Sequence, residues 1–291
     1  MNTSNLKNTG LVLEGGGLRG IYTSGVIRCF MDKGIFFPYV IGVSMGACNA
    51  ANYISQQPER NRIVNTRYVK DSRYISYLRL LTKGELFGMN FIFDTIPNSL
   101  MPFNLKTFMK SDQRCITAVT DCTNGMPRYY EKREAGEDFC TILQGSCSLP
   151  FISKPVQFNG HVFMDGCLTD PVPVQKSMDD GNLKNVLILT RPKGYRKKRS
   201  KFLFLTRFWY PKYKGLQKAL EERHTLYNNT MDLIDTLEKE GKVFVIRPET
   251  PLNAGQVERN KEKLYLIYDQ GYADTSSCFD ALNSFLGDNR E

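Results

Sequence analysis

Two strand–glycine–helix units within the first sixty residues constrain the fold more than any other feature of this chain. Leu11-Val12-Leu13 is an apolar run broken by Gly15-Gly16-Gly17, and residues 20–33 suit a helix that stops at Gly34. Residues 39–43 form a second apolar run that passes straight into Ser44 and a helical stretch to about Gln56. Strands without polar alternation are buried on both faces, as in a parallel sheet covered by helices, so the expected class is α/β. Further strands are expected at 115–121, 127–131, 162–164, 186–190 and 243–247. Leu216, Leu220, Tyr227, Met231, Ile234 and Leu237 recur at helical spacing within residues 216–240, a stripe expected to pack into the core. Residues 70–110 mix Leu, Phe, Tyr, Met and Pro without clean periodicity. They read equally as a cap over a site or as irregular packing helices.

Gly42-Val43-Ser44-Met45-Gly46 fits Gly-x-Ser-x-Gly at a strand-to-helix junction. Such a turn lifts the serine Oγ clear of the backbone, and small flanking residues leave it room. The amides that open the following helix would favour negative charge developing there. The plainer reading is a glycine-flanked serine capping a helix. Gly15-Gly16-Gly17-Leu18-Arg19-Gly20 allows successive amides to point into one concavity, a nest for an anion. In acyl transfer that anion is the oxyanion of the tetrahedral intermediate, with Gly16 and Gly17 as donors and Arg19 adding charge or bracing the turn. The same residues fit a dinucleotide fingerprint, but the second strand ends without the acid that would hold a ribose. No Gly-Lys-Ser/Thr follows to make a phosphate loop. Asp165-Gly166 closes the strand-like Val162-Phe163-Met164 and is the candidate base, while Asp180-Gly181 shows that such a pair is often only a turn.

Leu11 to Gly20, Gly42 to Gly46 and Asp165-Gly166 together resemble the patatin-like phospholipase family. Its members carry Gly-Gly-Gly-x-[Arg/Lys]-Gly, then Gly-x-Ser-x-Gly, then Asp-Gly-[Gly/Ala]. The likeness spans residues 9–190 and implies a three-layer α/β/α fold with a mainly parallel central sheet. It also implies a Ser44–Asp165 dyad, hydrolysis of acyl-ester lipids, and no metal or other cofactor. The Gly15, Gly16, Gly17 and Arg19 turn would then be the oxyanion hole, and Gly42 and Gly46 the flanks of the nucleophile elbow. Two departures stand out. Cys167 occupies the family's Gly/Ala position, and Asp170-Pro171-Val172-Pro173 replaces its Asn-x-Pro, which bears on local hydrogen bonding. Ser146 and Ser148 resemble the family's small-residue stretch before the aspartate strand and are structural there. A Ser–acid–His hydrolase would need His224 or His161, the two histidines, but one lies in a charged helical stretch and the other at a strand edge. Cys48, one helical turn after Ser44, is expected to pack against the sheet as a small apolar residue. A protein that binds lipid or dinucleotide through the glycine turn without catalysis is the reading from another class.

The chain of 291 residues is 41% hydrophobic and 24% charged, ordinary globular composition that argues against disorder. It is read as one patatin-like domain over 1–291, with a motif-bearing core at 9–190, a basic insert at 191–215 and a completing segment at 216–291. Eight scattered cysteines without Cys-x-x-Cys suggest neither a zinc site nor a disulfide scaffold. No run of 18 apolar residues is present, and the first ten residues lack a signal-peptide core, so a cytoplasmic protein without a transmembrane segment is expected. The net charge of +9 is local: residues 181–220 hold twelve Lys/Arg and no Asp/Glu, leaving 27 basic against 30 acidic residues elsewhere. Within the insert, Arg196, Lys197, Lys198 and Arg199 are interleaved with aromatics including Phe202, Phe204, Phe208 and Trp209. Cations attract anionic headgroups and aromatics favour the interfacial layer, so peripheral contact with an anionic membrane is expected there, ahead of nucleic acid.

Overall fold

In the computed structural model, which describes residues 6–201 and 203–287, an eight-stranded sheet forms the middle layer. Phe202 of the basic insert lies outside the described residues. The strands are β1 (Thr9–Leu13), β2 (Tyr39–Val43), β3 (Arg114–Asp121), β4 (Pro127–Glu131), β5 (Val156–Phe158), β6 (His161–Asp165), β7 (Lys184–Ile188) and β8 (Val243–Ile246). They are hydrogen-bonded in the order β5-β6-β3-β2-β1-β7-β8, with β4 also on β3. β3, β2, β1, β7 and β8 run parallel, whereas β4 and β6 each join β3 antiparallel and β5 joins β6 antiparallel.

Side-chain alternation divides the core between the two faces. Leu11, Leu13, Val40, Val186 and Ile188 pack with helix Ile21–Asp32 and helix Met45–Ile54. Val12, Ile41 and Leu187 point the other way, onto Tyr227, Met231, Ile234 and Leu237 of helix Lys214–Lys239. Every apolar position expected of that helix is buried. Each such side chain contributes roughly 1.5–3 kcal/mol by leaving water, so the two faces, not strand propensity, hold the layers together. The strand expected at 186–190 is displaced to Lys184–Ile188, because polar Lys184 and Asn185 still extend the β1 ladder. Helix Lys261–Ser277 crosses helix Ile21–Asp32 through glycines on both sides. A Cβ on Gly25 would lie 2.0 Å from the Tyr268 carbonyl oxygen, and one on Gly271 would lie 2.1 Å from that of Tyr22.

One detail of the register positions the site. β2 pairs with β3 up to Val43 opposite Ala118, and β6 pairs with β3 from Asp165 opposite Val119 onward. β4 pairs with residues 116–120 of β3, overlapping both, so β2 and β6 share the other edge of β3 and meet end to end. Ser44 and Asp165, 121 positions apart in sequence, sit at those converging ends.

Candidate active site

The turn from β2 into helix Met45–Ile54 holds Ser44 at φ 56° and ψ −126°. A non-glycine residue costs of order 1–3 kcal/mol there, and such strain is kept only where the surroundings over-determine it. Gly42 and Gly46 supply that determination. A Cβ on Gly42 would meet the Gly46 carbonyl at 2.6 Å, and one on Gly46 would meet the Leu13 and Glu14 carbonyl oxygens at 2.4 and 2.7 Å. Ser146 pins the turn from the side: its hydroxyl accepts from the Ser44 amide at 2.8 Å and donates to the Ala118 carbonyl at 2.7 Å. The Ser44 side chain makes no capping bond to its helix, so the plain N-cap reading fails.

Instead the Ser44 hydroxyl donates to Asp165 Oδ2 at 2.8 Å, while Oδ1 accepts from the Cys167 amide at 2.8 Å. Asp165 is fully buried. Burial pushes its carboxyl above the ordinary range, opposed by the Cys167 amide, the Ser44 hydroxyl and the Arg223 charge. Cys167 at the departed motif position fits closely, its Sγ 2.2 Å from where a Gly15 Cβ would stand. Gly15 therefore has to be glycine, and its missing Cβ would also be 3.1 Å from Ser44 Cβ, so the glycine turn abuts the elbow. Gly17 has φ +57°, which glycine adopts without penalty. Among the described residues the amides of Gly15, Gly16 and Gly17 donate no hydrogen bond within the protein.

Ser44 opens on a partly open cavity with apolar walls, among them Met45, Met89, Ile92, Phe93 and Leu143. The segment that read ambiguously, 70–110, thus forms one wall: it folds into helix Tyr77–Lys83, a π-helical stretch Phe91–Leu100 and helix Leu105–Lys110. Cys48 does not pack against the sheet as expected. It lines this cavity, 3.7 Å from Cys147, because its helix leaves the elbow with that side toward the opening. Arg19 is buried but lines a second, smaller space together with Gly15, on the side away from the Ser44 cavity. Neither histidine approaches the pair: His161 faces Asp121 at 3.0 Å, and His224 faces its own helix carbonyl at Glu221.

The basic insert is not one exposed face. Arg196 is paired with Asp232, and Lys197 turns inward over the Tyr227 ring, held by backbone bonds to Asn228. Lys198 and Arg199 remain exposed, and Trp209 is half exposed against Phe151. Sequence reasoning did not connect Glu14, Tyr227 and Arg223 with the glycine turn whose back they surround; the one local signal was the acid directly before Gly15.

At the second departure, the Tyr129 hydroxyl donates to Asp170 Oδ2 at 2.6 Å. Burial raises this carboxyl from 3.8 to about 6. A carboxyl raised in the folded state stabilises fully below the unfolded value, and that contribution is lost as pH rises through about 6. Asp170→Asn keeps an acceptor for Tyr129 without the buried charge. It is expected to be about 1–3 kcal/mol more stable than the parent above pH 6 and to lose the decline between about pH 4 and 6. Thermal unfolding across that range checks this; parallel profiles for the two proteins would contradict it.

The uncharacterised protein YjjU of Escherichia coli (strain K12) is 26% identical over 262 residues, covering 84% of this chain and 69% of that protein. The crystal structure of VipD from Legionella pneumophila overlaps 94% of this chain and 67% of its own, with a TM-score of 0.48 and 14% identity. A profile described as a domain of unknown function (DUF6363) matches residues 213–287, which include all of helix Lys214–Lys239, β8 and both C-terminal helices. The patatin-like phospholipase profile matches residues 11–177, more than half of the chain and all three glycine-bearing motifs, so this chain belongs to the patatin-like phospholipase family.

Proposed function

We propose that the protein is a serine acyl-ester hydrolase acting on lipid esters, phospholipid or lysophospholipid, through Ser44 and Asp165. The observation that carries this is the 2.8 Å contact between the two side chains beside an apolar cavity. Ser44 Oγ attacks the ester carbonyl as Asp165 takes its proton, and the oxyanion lies against the Gly16 and Gly17 amides. Collapse expels the alcohol, which receives the proton back from Asp165 and leaves an acyl group on Ser44. Water then gives a proton to the same carboxylate and attacks the acyl carbon, and Ser44 Oγ departs with that proton as the fatty acid is released. A buried Asp is a stronger base than an exposed one, which suits it to a hydroxyl far above it in pKa. The cavity walls suit an acyl chain, because each methylene moved out of water gains about 0.8 kcal/mol. Hydrolysis of a panel of phosphatidyl, lysophosphatidyl and neutral glycerol esters, with Ser44→Ala as the blank, tests this. Release of fatty acid by the parent but not the variant supports it, and equal release by both would sink it.

A second element of this reading is peripheral docking on an anionic bilayer. Phe204, Phe208 and Trp209 are 67%, 83% and 51% exposed, next in sequence to exposed Lys198, Arg199 and Lys201. Among the described residues no helix is long and apolar enough to cross a membrane. Neutralising the three cations together should weaken binding to phosphatidylserine-containing vesicles by about 10²-fold, at about 1 kcal/mol per charge. Sedimentation with vesicles measures it, and unchanged binding would remove the docking face.

A further inference from the structure

Behind the glycine turn, away from the Ser44 cavity, lies a small, partly open pocket into which Arg19, Arg191, Lys197 and Arg223 converge. Its one acid, Glu14, is already committed: Oε1 accepts from the Tyr227 hydroxyl, and Oε2 from the Thr190 amide and hydroxyl. The neighbouring cations Lys193 and Arg196 are ion-paired with Glu238 and Asp232. The four in the pocket have no carboxylate within ion-pair distance among the described residues. Arg223 spends one donor on the Cys167 carbonyl at 3.3 Å, Arg191 lies over the Tyr195 ring and Lys197 over the Tyr227 ring. Arg19 is only 6% exposed, and its buried Nε has no partner at all.

A guanidinium taken out of water without a hydrogen bond is costly, and three like charges beside it add to the cost. Burial and the neighbouring cations already push Lys197 down to about 8. What satisfies all four groups at once is an acceptor of high charge density that takes the paired N–H bonds of arginine. We propose that this pocket binds a dianionic phosphate group, either inorganic phosphate, a soluble phosphomonoester or the headgroup of a phosphomonoester lipid. Four cations against one acid leave an excess that a dianion neutralises better than chloride or a single carboxylate does. The pocket shares Gly15 and Cys167 with the Ser44–Asp165 site, so an occupant braces the back of the glycine turn without entering the acyl cavity. This inference rests on the pocket and stands apart from the hydrolase reading.

The experiment is calorimetric titration of the full chain with inorganic phosphate and with glycerol 3-phosphate, at fixed ionic strength against chloride. Saturable one-to-one binding with a dissociation constant of about 1 mM or tighter is expected. Arg19→Gln and, independently, the less buried Arg223→Gln should each weaken it by about tenfold or more, whereas Lys201→Gln outside the pocket leaves it intact. If Arg19→Gln does not fold, Arg223→Gln and Lys197→Gln decide the matter. Dihexanoyl phosphatidic acid, titrated into Ser44→Ala protein to prevent turnover, separates the sources. Binding about tenfold tighter than glycerol 3-phosphate assigns the pocket to a lipid headgroup, and equal or weaker binding to a soluble phosphate, both supporting the site. No saturable binding, or equal affinity in parent and pocket variants, would overturn it.

Discussion

Asp165→Asn should lower kcat on an ester substrate by about 10³–10⁴ while leaving the fold intact. Asparagine keeps the shape of the carboxylate and can still accept from the Cys167 amide, which now holds Oδ1 at 2.8 Å. It cannot take a proton from Ser44, and on the proposed mechanism that is the one task for which no neighbour substitutes. The histidines are occupied elsewhere, His161 with Asp121 and His224 with its own helix. Because burial raises the Asp165 carboxyl, the parent should lose activity on the acid side at a pH above the ordinary carboxylate range, as the base becomes protonated. The variant's residual rate should lack that limb. Near-parental kcat in a folded Asp165→Asn protein would remove the aspartate from the mechanism.

Gly46→Ala should be strongly destabilising. The added carbon would stand 2.4 Å from one β1 carbonyl oxygen and 2.7 Å from the next, and both obstacles are backbone. No side-chain rotation relieves such a clash, so either the helix backs away from β1 or the elbow changes its dihedrals. Overpacking of this kind costs about 1–3 kcal/mol and more where backbone is the obstacle. For a protein of this size that is a loss of several degrees in Tm, at about 2–4 °C per kcal/mol. Ester hydrolysis should fall by at least about 10²-fold even in the folded fraction, since an ångström of misplacement at Oγ is enough. Gly160→Ala is the control for stability: its φ of +76° is strained for alanine, but nothing stands within 4 Å of the added carbon. Equal Tm losses in the two variants would mean that the close approach at β1 carries no special weight.

How much of this was legible in the chain varies with the distance over which the information acts. Ser44 and Asp165 could be named because each stands at the close of an apolar strand with glycine within the next two residues, a signal contained within five residues. That they touch follows from β2 and β6 sharing an edge of β3, which no local pattern encodes. The stripe from Leu216 to Leu237 was readable because helical spacing and burial agree, whereas residues 70–110 were not, since a π-helical stretch containing Pro97 has no 3.6-residue period. Lys197 looked like its neighbours Arg196 and Lys198. Only tertiary packing against Tyr227 and Asn228 turns it inward. Gly25 and Gly271 carry no local sign of their role, which is to let two helices cross closely.

The central claim is that Ser44 is an acylating nucleophile activated by Asp165. Covalent labelling by a fluorophosphonate, located by peptide mass spectrometry, tests it most directly. The expected result is one adduct per chain on Ser44, absent in Ser44→Ala and slowed by about 10³-fold or more in Asp165→Asn. No adduct on Ser44 in folded parent protein, or undiminished labelling of Ser44→Ala, would contradict it.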